Sequence, residues 1–305
     1  MPFPGQLGKR PERADKPKVA IAPFLLNYGR EGFALPVFPD TVLPPVINYP
    51  MDHNDRVGDC VVAGGDHALK AIDFQLLGSY AQPDDAQLLR WYQTQNPGFR
   101  FWSDAGGSND NGMVIADFLD LLIKEGKILA YGKIDTSSQA EVEAAIYLGL
   151  AIVVGATLTE ANENSGFTWD YVPGSPEVGG HCFVWDGYWP PRTITWGSDD
   201  YHTTGAFVQH QVDEAYFVLT QAHVDHPDFR NNFDLAGFAQ VISEITDGKV
   251  VVPVTPLPPV VTRTLTFTAL EFADLSAWAK APHWWRKATK AAKAVLAAIS
   301  RSTSI

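Results

Sequence analysis

A chain of 305 residues, 46% of them hydrophobic, can bury a substantial core and has room for one large domain with appendages or for two domains. Its formal net charge of −12 argues against general nucleic-acid binding, and no apolar run approaches the roughly 20 residues of a membrane helix, so no span is expected and a membrane partner is unlikely from sequence. Two cysteines, Cys60 and Cys182, are too few for a disulfide scaffold and are expected as free thiols.

Residues 1–45 are rich in Pro and Gly, as in "FALPVFPDTVLPPVINYP", and are expected to form an extended N-terminal arm packed over the body. No secretion signal is read there, since the run "VAIAPFLL" is short and broken by Pro23. The body is expected over 46–250. It opens with a helix from Cys60 to Leu77, with Asp59 placed to cap it and Val61, Ala68, Ile72 and Leu76 at helical spacing. Inside that helix Gly64 and Gly65 point to close packing against a neighbour.

"PDDAQLLRWYQTQ" and "NGMVIADFLDLLIKEG" predict two more helices, the second closed by Gly126. "SSQAEVEAAIYLG" is a Ser-capped helix leading into the β-rich run "LAIVVGATL". "HCFVWDGYW", "RTITWGS" and "EAYFVLT" predict antiparallel strands, and "FDLAGFAQVISEI" one last helix. Helices first and strands later define an α+β fold.

A Pro-rich linker is expected over 251–262, followed by a tail, 263–305. Residues 255–305 hold seven Lys or Arg against two Asp or Glu, a net +5 that leaves −17 for residues 1–254. In the tail Trp285, Ala288, Ala292, Val295 and Ile299 recur at helical spacing, with Arg286, Lys287, Lys290 and Lys293 largely off that stripe. It reads as a basic amphipathic segment, docked on the acidic body or contacting another subunit.

The chemistry concentrates on a cysteine at a helix start and a histidine on a later strand. His181 within reach of Cys60 could form the thiolate and protonate a leaving group, while Asn54 could supply a side-chain amide to a developing oxyanion. A buried, inert Cys60 is the plain alternative, because free cysteines often serve as small core residues. Cys182 is expected to face away from His181, since side chains alternate along a strand, and His67 is expected to be structural. Asp59 and Asp66 read as a cap and a surface charge. Cys60, Cys182, His181 and His67 lack zinc-ligand spacing, so neither a metal nor another cofactor is expected.

Taken in order, Asn54 six residues before Cys60 in "NDRVGDC", then "GGHCFVWDGY", then "ITWG", resemble the papain-like cysteine peptidases. "NDRVGDCVVAGGDHA", "GGHCFVWDGYW", "TWGS" and "DEAYFVL" are similar to papain-like proteins encoded by tailed phages of actinobacteria. The resemblance implies a helical half and an antiparallel sheet half with the active-site cleft between them. It implies catalytic roles for Cys60, His181 and Asn54, substrate contacts at Gly179, Gly180 and Trp196, and a peptide or protein substrate. A location in the virion or host cytoplasm follows from the phage likeness.

Two positions depart from the family pattern. Asn54 stands where Gln is usual, one methylene shorter. Aligning Trp196-Gly197 with the family's Trp-Gly puts Ile194 where an Asn should orient the histidine, and Ile194 cannot accept a proton. Thr195 could do so after a shift of one residue, and Asp199 or Asp186 from another loop geometry. Two functions follow: a thiol hydrolase working through an acyl-enzyme, or a virion structural or attachment protein using an inactive papain-like fold as a rigid body, with arm and tail contacting other virion subunits.

Overall fold

A computed structural model describes residues 3–26, 47–100, 109–187 and 191–254, all within a compact unit, Met1–Thr255. The expectations for the tail, for most of the linker and for residues 27–45 of the arm lie outside the described residues. Three helices come first: α1 (Cys60–Leu77), α2 (Asp85–Gln93) and α3 (Ile115–Lys124). Strand β1 (Ala130–Lys133) and helix α4 (Gln139–Gly149) then lead to β2 (Ile152–Thr159), followed by α5 (Glu160–Asn164), β3 (Thr168–Trp169) and β4 (Glu177–Trp185). The remainder is β5 (Arg192–Thr195), β6 (Ser198–Thr203), α6 (Gly205–Gln211), β7 (Val212–Leu219), α7 (Gln221–Asp225), α8 (Pro227–Asn232) and α9 (Leu235–Ile245).

The seven strands form one sheet in the order β1-β7-β2-β4-β5-β6-β3, antiparallel except for the short parallel pairing of β3 with β6. The α+β expectation is met. Strand β4 begins at Glu177, so His181 sits in mid-strand and does not open it, contrary to the sequence pattern. Strands β1, β3 and β6 and helices α5 to α8 are not apparent from sequence; most are short and lack a full period of hydrophobic alternation.

Alternation sorts the central strands into two apolar cores. Val153, Cys182, Val184, Ile194, Tyr216 and Val218 join residues of α1, α2 and α3, whereas Ile152, Val154, Phe183, Trp185, Ala215 and Phe217 join residues of α4 and α9. The helical half thus lies on one face of the sheet. α1 approaches β4 closely because Gly64 and Gly65 carry no side chain: a Cβ on Gly64 would stand 2.8 Å from Sγ of Cys182, and one on Gly65 would overlap the ring of Phe118. This sets Cys60, at the first turn of α1, beside the middle of β4.

Candidate active site

Helix α1 begins at Cys60, with Asp59 at the N-cap position, but Asp59 makes no capping hydrogen bond. Its carboxyl is fully buried, neither oxygen has a hydrogen-bond partner, and burial together with the nearby Asp52 pushes its pKa well up. Asp66, expected at the surface, is buried instead and bonds Tyr80 (2.5 Å) and Gln82 (2.8 Å), with its pKa raised by burial to about 6. The helical period cannot tell a solvated carboxylate from one buried under the following loop. His67 bonds the Pro50 carbonyl at 2.8 Å, in keeping with a structural role.

On β4, His181 points to the core face opposite Cys182. Its Nε2 lies 2.7 Å from Oγ1 of Thr195 in a buried hydrogen bond, while Nδ1 is buried with no hydrogen-bond partner. Thr195 can reach the ring because strand alternation turns it to the His181 side. Ile194, at the position aligned with the family's Asn, is turned into the core under α1.

Asp186 and Asp199, the other acceptors considered, are engaged elsewhere: Asp186 pairs with Arg192, and Asp199 lies 3.7 Å from the same guanidinium. Trp196 and Gly197 form the two-residue turn between Thr195 and Ser198, both with positive φ (45° and 74°). That turn lays the Trp196 indole on the imidazole, ring centres 4.3 Å apart and 25° from parallel.

Asn54, Cys60, Gly179, Gly180 and Trp196 surround a segment that sequence reasoning assigned only to an arm. Residues 3–10 thread the cleft. Phe3 packs on Trp196 at 4.8 Å. Gln6 N–H donates to the Asn54 carbonyl (2.6 Å), and Asn54 Nδ2 donates back to the Gln6 carbonyl (3.0 Å) and to that of Val57 (3.0 Å). The candidate oxyanion amide is thus occupied by a carbonyl of the chain itself.

Gly8 and Lys9 N–H both donate to the Gly180 carbonyl (3.1 and 2.9 Å), Met113 N–H donates to that of Gly8 (2.7 Å), and Arg10 N–H to that of Met113 (2.7 Å). Only glycine fits at position 8, where a Cβ would overlap the Gly58 carbonyl, and a Cβ on Gly180 would overlap the Lys9 carbonyl. The room expected at Gly179 and Gly180 for an approaching backbone exists, and the chain's own Leu7, Gly8 and Lys9 fill it.

Beneath this strap Cys60 is 1% exposed. Burial pushes its thiol up to about 12, helped by the neighbouring Asp59, against the opposing backbone N–H groups of Cys182 and Gly8 and the charge of Lys9. Burial pulls His181 down to about 3. Both groups are therefore neutral in this closed form, a thiol and an imidazole, and no hydrogen bond joins them: Cys60 lies with Cys182 in the core under α1, and the His181 ring bonds Thr195 alone among the described residues.

Ionic contacts fix the strap. Lys9 Nζ meets Asp213 (2.8 Å) and Glu214 (3.2 Å), Lys16 meets Asp117 (3.1 Å) and Asp120 (2.6 Å), and Glu12 meets Lys18 and Lys133 (2.7 Å each). The sequence offers one sign of this, a basic cluster "KRPERADKPK" at the start of an acidic body. Gly8, Lys9, Met113, Asp213 and Glu214 escape sequence reasoning because their meeting is tertiary.

With this geometry in place, comparison with solved structures finds xylellain, a cysteine protease from Xylella fastidiosa, at a TM-score of 0.52 and 16% identity, covering 72% of this chain and 98% of that one. No family model and no curated protein sequence matches the chain. The fold is papain-like, with helical and sheet halves flanking the cleft that residues 3–10 occupy. Among the described residues no helix is long and apolar enough to cross a membrane.

Proposed function

We propose that the chain is a papain-like thiol hydrolase that cleaves a peptide or amide bond through a covalent acyl-enzyme, held closed by residues 3–10. The observation that carries this reading is the His181 ring: Nε2 is tied to Thr195 and Nδ1 is left without a partner, with no hydrogen bond to Cys60 in the closed form, so the two must meet when the strap moves. If Nε2–H donates to Thr195 Oγ1, Nδ1 carries the lone pair that a general base needs.

Once the strap has moved, Cys60 Sγ attacks the scissile carbonyl carbon and its proton passes to Nδ1. The oxyanion takes the place of the Gln6 carbonyl, held by Asn54 Nδ2 and the Cys60 backbone N–H. Collapse breaks the C–N bond and His181 protonates the departing amine. Water then attacks the thioester with His181 again accepting a proton, and the acid is released with the thiol restored.

The second reading, an inactive papain-like body, is favoured by the neutral, buried Cys60 and His181 and by a threonine in place of the usual amide. One experiment separates the two. Full-length Gly8→Ala, whose strap cannot seat, is treated with iodoacetamide at pH 6 and assayed on fluorogenic peptides, with Cys60→Ala as control. The hydrolase reading expects rapid alkylation of Cys60 and turnover that Cys60→Ala abolishes; an open cleft with a slow thiol and no turnover supports the rigid body.

The finer proposal, a phage-encoded, virion-associated enzyme, is supported by the motif likeness and by the basic tail on an acidic chain. It expects deletion of 263–305 to reduce association with virion subunits while leaving Cys60 reactivity intact.

A further inference from the structure

The cavity that holds Lys9 has a construction of its own. Strands β2 and β7 pair through Gly155 and Glu214 and resume at Ala156 and Val212, which leaves Asp213 as an extra residue in β7. A bulge of this kind breaks the alternation of side chains. Two sequence neighbours, Asp213 and Glu214, therefore both reach the Lys9 ammonium, at 2.8 and 3.2 Å. Across from them on β2 is Gly155, where a Cβ would overlap Cε of Lys9 and stand 2.7 Å from Cγ of Glu214. The missing side chain is the room that the lysine stem occupies.

Thr157 Oγ1, 3.4 Å from Asp213, and the Tyr216 hydroxyl, 2.9 Å from Glu214, hold the two carboxylates in place. The Glu214 side chain is sealed from solvent and that of Asp213 is 42% exposed. A second negative charge so close to a sealed carboxylate is costly unless a cation joins them. The cavity also adjoins the cleft, since Lys9 N–H donates to Gly180, the residue before His181.

We propose that this cavity is a subsite for the long basic side chain, lysine or arginine, of a peptide substrate, with Asp213 and Glu214 as its specificity-determining residues and Lys9 its tethered occupant in the closed form. The proposal rests on the thiol-hydrolase reading above. It differs from a mere anchor for the strap in one respect: the carboxylates select the side chain of a separate peptide once Lys9 is gone.

In the full chain, Lys9→Ala empties the cavity and leaves both carboxylates. Its thermal unfolding is compared in butylammonium chloride, in sodium chloride of equal ionic strength, and in butanol. Butylammonium alone should raise the Tm, and the rise should vanish in Lys9→Ala/Asp213→Asn/Glu214→Gln. An equal effect of butanol, or no effect of either, overturns the subsite. Should Lys9→Ala fail to fold, Lys9→Arg and Lys9→Met decide instead: arginine should retain the wild-type Tm and uncharged methionine lower it, and equality of the two overturns the proposal.

Peptide cleavage by the Gly8→Ala/Lys9→Ala chain, in which the strap cannot seat, then separates this proposal from the reading beneath it. Peptides bearing Lys or Arg should show about 100-fold higher kcat/KM than a norleucine peptide, with the ratio collapsing toward one in that chain with Asp213→Asn and Glu214→Gln added. Turnover with no basic preference overturns the subsite. Absence of Cys60-dependent turnover on every peptide, with the butylammonium effect intact, overturns the hydrolase and leaves an ammonium site.

Discussion

Thr195 shows how much one register position decides. Its hydroxyl is the one polar group bonded to Nε2 of His181 among the described residues, and it replaces a longer amide with a two-atom side chain already on the correct face. Thr195→Ala in the Gly8→Ala background should lower kcat about tenfold with KM little changed, because an orienting bond on the order of 1 kcal/mol is lost without removing a substrate contact. Thr195→Ser should restore most of it; equal kcat in all three would exclude an orienting role. The placements of Cys60 at a helix start and of His181 on a later strand were legible in the sequence from one ordered set of motifs; that the two act as a pair is the proposal made above. Thr195 is the first choice of acceptor from sequence and Asp199 the second; what the sequence does not show is which face of β5 each residue takes and that Arg192 engages both Asp186 and Asp199. Burial also has a measurable pH signature. His181 is held neutral to about 3 and His223 to about 4, both by burial, while unfolded histidines protonate from 6.5. Protons therefore favour the unfolded chain as pH falls below 6.5, and His181 alone should cost on the order of 4 kcal/mol by pH 3. Asp59 and Asp66, whose pKa values burial raises, act with the opposite sign over this range, so the His181 contribution is read as the difference in pH slope between the wild type and His181→Gln in chemical denaturation from pH 7 to 4; equal slopes would mean that burial does not hold the ring neutral.

At the scale of elements, the cleft depends on how closely α1 lies against β4. Alanine at Gly64 would gain about 1 kcal/mol of helix propensity, but its Cβ would meet Cys182 Sγ at 2.8 Å. Overpacking of this kind costs about 1–3 kcal/mol, so Gly64→Ala should lower the Tm. Cys182→Ala removes the obstructing sulfur and should recover part of that loss, giving a positive coupling in a double-mutant cycle; additive effects would mean that the two do not touch. The sequence conveyed this contact in outline, because paired glycines inside an apolar helix have little purpose other than close approach. It did not convey the bulge in β7 or the short pairings of β1, β3 and β6. Those follow from register and from edge positions, which hydrophobic alternation over four to six residues leaves open.

The molecule as a whole is an acidic body closed by a basic segment of its own chain, and its two stretches are held by different forces. Residues 19–25 belong to the core: Val19, Ile21, Phe24 and Leu25 are buried, and Val19 and Ile21 exchange backbone hydrogen bonds with Lys133. Residues 3–18 depend instead on ion pairs, on backbone bonds to Asn54, Gly180 and Met113, and on the absence of a side chain at Gly8. A single methyl group at Gly8 conflicts with the Gly58 carbonyl, which belongs to the rigid turn before α1, so the strap must yield and not the turn. Salt should loosen the exposed pair of Arg13 first and the half-buried pair of Lys16 next, both before the buried one of Lys9, so ionic strength alone should open the wild type little. Gly8→Ala should therefore open the cleft with the body intact: trypsin should cut after Lys9 or Arg13, strap sites not followed by proline, at least tenfold faster than in the wild type, and Cys60 should become alkylated at a matching rate. Amide hydrogen exchange of residues 19–26 should stay slow, because that stretch opens only with the core. If Gly8→Ala instead exposes residues 19–26 and the core strands together, the strap folds and unfolds with the body, and the closed form is the only folded form the chain has.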